Sequence, residues 1–134
     1  MKENRYAELA RHRMEKASRN LRIAWQNFQL GQYEETVSKS YYCILTAMKA
    51  LIALQHQEGR THEGVITLFQ KLFVQPKLFP KEFNKVIRKL RSLRHDADYG
   101  DFVEISREQA AGEMRHAEEF LKRAEKVMVR MLAR

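Results

Sequence analysis

Proline is nearly absent from this chain, glycine is scarce, and cysteine occurs once. Two prolines and five glycines in 134 residues leave too little punctuation for the many tight turns of an all-β domain. The single cysteine, Cys43, excludes an internal disulfide and any cysteine metal cage. Flanked by Tyr42 and Ile44, it reads as a small core residue. A long apolar run is also missing. The most apolar stretch, Tyr41 to Leu54, is interrupted by Thr46 and Lys49 and falls short of the ~20 apolar residues that a membrane span needs. No apolar signal core follows Met1-Lys2-Glu3-Asn4-Arg5. The expectation is a soluble, cytoplasmic protein with no membrane association.

What is present is enough for one ordinary core. The hydrophobic share is 44%, and the length suits a single domain over residues 1–134. Acidic residues are outnumbered, giving a formal charge of +8. That balance favours phosphate-rich ligands through counterion release and steering, although a solvated lysine-rich surface gives the same sum.

Helical periodicity runs through the chain. From about Tyr6 to Phe28, Ala10, Met14, Ala17, Leu21, Ala24 and Phe28 recur at alternating steps of four and three, one face of a helix. Leu9 and Trp25 widen the stripe, and Gly31 ends it. A second helix, from Tyr33 into the fifties, carries Val37, Tyr41, Ile44, Met48, Leu51 and Ile52, with further apolar residues on its other sides. A helix apolar all round belongs in the centre of a bundle. Thr61 suits the N-cap of a third helix with Glu63 near its positive end; Val65, Ile66, Phe69, Leu72 and Phe73 form its apolar face.

Pro80 suits the first turn of a fourth helix, whose stripe is Phe83, Val86, Leu90, Leu93 and Ala97. An acidic loop is expected from Asp96 to Ile105. Ser106 and Gln109 then make a capping box, and Ala110, Met114, Ala117, Leu121, Ala124, Met128 and Met131 mark a long fifth helix. The sequence thus predicts an all-α, up-and-down antiparallel bundle of about five helices.

Metal motifs fail one by one. Glu113 and His116 form the chain's one Glu-x-x-His, and the stripe of the fifth helix puts both off the core line, in solvent. His62-Glu63 opens like a zincin motif, but Ile66 stands where the second His is required. The segment from Asp96 has Gly100 and Arg107 at positions where a calcium loop needs ligands. No metal or other cofactor is expected.

Three stretches stand out: Ser40-Tyr41-Tyr42 behind Gly31-Gln32-Tyr33; Thr61-His62-Glu63-Gly64-Val65; and Arg94-His95-Asp96-Ala97-Asp98-Tyr99-Gly100-Asp101-Phe102. In this order and spacing the chain resembles the HEPN family (higher eukaryotes and prokaryotes nucleotide-binding domain). It is most similar to the small prokaryotic members with an Arg-x-x-Ala-Asp-Tyr segment, and the resemblance covers nearly the whole chain. It implies a helical bundle, frequent homodimers, and pairing with a small nucleotidyltransferase in toxin–antitoxin-like modules. It also implies metal-independent ribonuclease activity in many relatives, from an Arg and a His separated by four to six residues.

Here the pattern departs. After Arg94 and four intervening residues stands Tyr99, not His. A phenol of ordinary pKa near ~10 donates a hydrogen bond at neutral pH and is a poor base. Arg88 and His95 meet the six-residue spacing, but the rhythm of the fourth helix turns both outward. His62 or His95 would have to substitute. The candidate catalytic set is therefore Arg94, His95 and Tyr99. The wider binding set is Arg94, Asp98, Tyr99, His62, Tyr41, Tyr42, Arg88 and Arg91. Plain structural roles compete with each: an Arg94–Asp98 surface pair contributes only about 0.2–0.5 kcal/mol, and paired tyrosines more often fill a core than bind a base.

The fourth helix also bears Lys81, Lys85, Arg88, Lys89, Arg91 and Arg94 against Glu82, a basic strip suited to a phosphate backbone or an acidic partner. Three functions follow. The first is a homodimeric module that binds nucleotide or RNA and works with a nucleotidyltransferase. The second is a metal-independent ribonuclease. The third is a non-catalytic helical adaptor that meets protein through its basic face.

Overall fold

A computed structural model describes residues 2–101 and 103–134. Five α-helices follow one another: α1 Lys2–Gln29, α2 Tyr33–Leu54, α3 His62–Phe69, α4 Glu82–Tyr99 and α5 Arg107–Leu132. No strand occurs among the described residues. The last turn of α3 widens into a π-helix over Gln70–Val74. Phe102, at the end of the Arg94 segment, lies outside the described residues.

The helix ends are chemically specified. Gly31 takes a left-handed φ of 74°. Its N–H donates to Phe28 O at 3.1 Å, and that of Gln32 donates to Asn27 O at 2.8 Å, which closes α1 with a Schellman motif. Thr61 Oγ1 accepts from Gly64 N at 2.9 Å to cap α3. Ser106 and Gln109 form the reciprocal capping box of α5. Pro80 instead lies before α4: Lys81 is the N-cap and Glu82 the first helical residue. At its far end α4 continues to Tyr99, so Asp96 to Tyr99 are helical rather than loop.

Burial places α2 at the centre. Val37, Tyr41, Ile44, Leu45, Met48, Leu51 and Ile52 are all buried, and the helix packs against each of the other four. By length and composition α2 is apolar enough to cross a membrane, but 72% of that window is buried inside the bundle. Burial by neighbours accounts for its apolarity. Cys43 is buried within it.

One continuous core runs through the bundle. Along α1, Ala10, Met14, Ala17 and Ala24 lie against α2 and are buried; the alanines let the backbones approach closely. At the other end Phe69, Phe73, Phe79, Phe83 and Phe120 form an aromatic cluster with ring centroids 4.9–6.2 Å apart. The single stripe expected for α5 is too narrow. Glu113, Phe120 and Val127, seven residues apart, are buried beside it, because α5 packs against α1, α2 and α4 together. On α4, Ile87 is buried with Leu90, while Phe83, Val86, Leu93 and Ala97 are half-buried.

Candidate functional site

Three helices converge on one arginine. Tyr41 and Tyr42, successive on α2, turn their rings toward α4. The Arg94 guanidinium lies 5.5 Å from the Tyr41 ring centroid and 5.0 Å from that of Tyr42, both within cation–π range. From the first turn of α3, His62 Nδ1 meets the Tyr41 hydroxyl at 2.8 Å. Its ring contacts both tyrosines, with centroids 5.6 and 5.9 Å away. The bend that delivers His62 depends on Gly59: a Cβ there would sit 2.8 Å from the backbone of Val65.

Burial fixes the direction of the central hydrogen bond. Tyr41 is fully buried, and a buried hydroxyl that only accepted would leave its proton unpaired. Burial pushes the Tyr41 phenol above its ordinary pKa, against the opposing pull of Arg91 and Arg94. The phenol therefore keeps its proton and donates it to Nδ1. Burial, followed by the positive fields of Lys49, Arg91 and Arg94, holds the His62 pKa below its ordinary value. The imidazole is neutral at pH 7, and with Nδ1 accepting, this hydrogen-bond network assigns the ring proton to Nε2.

Arg94 is held loosely. Its side chain is 23% exposed, and its nearest acidic partner, Asp98, is 3.5 Å away one turn along α4. Its Nε is buried without a hydrogen-bond partner among the described residues. A guanidinium walled by two aromatic rings and tied to one carboxylate retains free donors for an anion.

Glu63 organises the neighbouring arginines. Arg88 binds it with both terminal nitrogens, at 3.0 and 3.1 Å, and Arg91 adds a bond of 2.7 Å. The Arg88 hydrogen bond holds the Glu63 carboxyl below the usual carboxylate range, against solvent loss and with help from Arg91. The basic residues of α4 thus do not form one strip. Arg88, Arg91 and Arg94 turn toward α3 and α2, while Lys89 faces α5, 3.8 Å from Glu113.

Tyr41, Tyr42, His62, Arg94 and Asp98 are brought together, with Arg88 and Arg91 beside them. His95 and Tyr99 stand apart. Tyr99 is 73% exposed, His95 is exposed as well, and their rings pack on each other at 4.8 Å. Glu113 corrects the solvent placement expected for it: it is buried 3.7 Å from His116 Nδ1, with Oε2 unpartnered among the described residues. His116 is only half-exposed. Among the described residues no group of three His, Cys, Asp or Glu side chains is arranged to hold a metal. Sequence reasoning missed the Glu63 clamp and the proximity of Lys49 to His62. Neither left a local signal, because each joins residues distant in the chain.

The chain matches the HEPN domain family over residues 10–130. It belongs to that family. A UPF0332 protein of Archaeoglobus fulgidus is 30% identical over 112 residues, which cover 84% of this chain and 89% of the relative. Two Methanocaldococcus jannaschii proteins are also similar. "Putative toxin MJ0142" is 27% identical over 127 residues, 95% of this chain and 86% of that one. "Putative toxin MJ0605" is 30% identical over 119 residues, 89% and 88% respectively. These matches run nearly end to end.

Proposed function

We propose that this HEPN protein binds the phosphate of a nucleotide or RNA at Arg94, as a toxin-like module. The observation that carries the reading is the pairing of Arg94, held over Tyr41 and Tyr42, with His62, whose Nδ1 is occupied by the Tyr41 hydroxyl. Arg94 supplies charge and a planar fork; His62 Nε2–H supplies a neutral donor. The rings of Tyr42 and of the exposed Tyr99 offer faces for a base. In this reading the module is cytoplasmic, and it is homodimeric and paired with a small nucleotidyltransferase, as the family resemblance implies; the relatives' toxin names support the toxin-like role.

A second reading is metal-independent RNA cleavage with Arg94 and His62. The neutral imidazole of His62 favours it, because a ring uncharged at pH 7 is poised for proton transfer. The hydrogen bond from Tyr41 argues against His62 as the resting base, since the free lone pair is already used. As a base His62 would have to exchange the Tyr41 bond for the ribose hydroxyl proton at Nδ1; the imidazolium so formed would then return a proton through Nε2–H to the leaving oxygen.

Fluorescence anisotropy with a labelled RNA oligonucleotide tests both. Arg94→Ala weakens binding about tenfold or more, as expected for loss of a charge-assisted contact, and affinity falls steeply with salt. Binding insensitive to Arg94→Ala sinks the reading, and no RNA binding at any salt favours the adaptor. Cleavage of the same RNA in chelator, abolished by both Arg94→Ala and His62→Ala, establishes the enzyme.

A further inference from the structure

We propose that Arg88 and Arg91 form a second phosphate seat, which Glu63 occupies in the free protein, so that the site selects an RNA strand over a mononucleotide. The inference rests on the reading of Arg94 as a phosphate ligand and extends it by one seat.

The donor geometry carries it. Glu63 is bridged between two guanidiniums: Arg88 reaches both of its oxygens, and Arg91 reaches Oε2. Two guanidiniums converging on a pair of oxygens are the arrangement that takes the two free oxygens of a phosphodiester. A carboxylate is the nearest side-chain likeness of that group. The three side chains are also open to exchange, with Glu63 51% exposed and the arginines 43% and 40% exposed. Exposed pairs of this kind are weak and give way to a competing anion.

Spacing aligns the second seat with the first. Arg88, Arg91 and Arg94 follow at intervals of three residues on α4, a rise of about 4.5 Å per step. All three face the start of α3, where His62 and Glu63 are adjacent in the chain. A strand laid along α4 with one phosphate on Arg94 therefore carries its neighbour to Arg88 and Arg91. A mononucleotide fills the Arg94 seat and leaves Glu63 where it is. An RNA strand displaces Glu63 and gains the second contact, less the Glu63 ion pairs it breaks. Glu63 thus sets selectivity by length: it sits in competition with the second phosphate alone.

The experiment compares an eight-nucleotide oligouridylate with uridine 5′-monophosphate on the full chain, in wild type, Arg94→Ala, Glu63→Gln, Glu63→Gln/Arg91→Ala and Glu58→Gln. The last removes one negative charge elsewhere, from an exposed carboxylate paired with Arg13. Glu63→Gln tightens octamer binding about tenfold and uridine monophosphate binding no more than about twofold. It also steepens the octamer's log–log salt slope by about 0.7, one single-strand phosphate. The added Arg91→Ala cancels the gain, and Glu58→Gln leaves both ligands within about twofold of wild type. An octamer affinity unchanged by Glu63→Gln overturns the proposal, as does an equal gain for both ligands. If Arg94→Ala leaves both affinities unaltered, the phosphate reading of Arg94 itself fails, and the second seat falls with it.

Discussion

Tyr41→Phe removes a single oxygen from the centre of the site. The ring remains, so the 5.5 Å approach of Arg94 and the packing of α2 are kept. The loss is the 2.8 Å hydrogen bond to His62 Nδ1. A hydrogen bond of this type stabilises by about 0.5–1.5 kcal/mol net. His62 is half-buried, so water reaches its freed nitrogen and keeps the loss within that range. For a chain of this size the expected fall in Tm is about 2–6 °C.

Binding falls as well. Without the Tyr41 proton to accept, the imidazole divides between tautomers and presents Nε2–H for only part of the time. Phosphate affinity then drops about twofold, the factor by which the competent tautomer is diluted when the ring divides between two forms. Tyr42→Phe is the control, since its ring lies 5.0 Å from Arg94 and its hydroxyl makes no hydrogen bond among the described residues. Thermal unfolding followed by circular dichroism, RNA anisotropy and the ring-nitrogen NMR shifts of His62 measure the three effects. Equal losses in Tyr41→Phe and Tyr42→Phe, or none in Tyr41→Phe, refute the assignment of the proton to Nε2.

Acid should weaken the fold through His62. Its folded pKa lies below the ordinary value because of burial and then of Lys49, Arg91 and Arg94, so below about pH 6.5 the unfolded chain binds the proton more readily. Stability is intact at neutral pH and is lost as pH falls from the unfolded toward the folded pKa; Tm scans over that window should decline less in His62→Gln than in wild type. Phe120→Ala opens the aromatic cluster against Phe69, Phe79 and Phe83 and should cost about 3–5 kcal/mol in chemical denaturation. Cys43 is fully buried, and burial pushes its thiol up to about 12. A thiol reagent should leave it unmodified in the native protein and label it once in denaturant.

The elements most legible in the sequence were those set by local chemistry. Thr61 caps α3 and the Ser106–Gln109 box opens α5 because each motif is complete within four residues. The α1 stripe also reads directly, since Ala10, Met14, Ala17 and Ala24 all fall on the buried face of α1. The stripe argument weakens where a helix has several neighbours. Phe120 and Glu113 fall outside the line through Met114 and Leu121, yet α5 buries them because α4 and α2 close on that side. Pro80 was expected inside α4, but the chain is still turning there and Lys81 becomes the cap. For the site, the sequence offered the pieces without their assembly. Tyr41, His62 and Arg94 each stood in a conspicuous segment, whereas the Arg88–Glu63–Arg91 clamp is tertiary and no spacing along the chain encodes it.

The two tyrosines of α2 make Arg94 more than a surface charge. An arginine free in water is strongly screened, and its contact with a phosphate is worth little. Arg94 is mostly withdrawn from solvent, so its contact with an anion is screened less. That withdrawal is tolerable because the rings of Tyr41 and Tyr42 return about 0.5–2 kcal/mol of cation–π attraction. The same two residues are tied to the fold, Tyr41 through the buried face of α2 and Tyr42 by packing at its edge. Rigidity, orientation and reduced screening at the proposed phosphate seat therefore come from one pair of aromatic residues at the margin of the core.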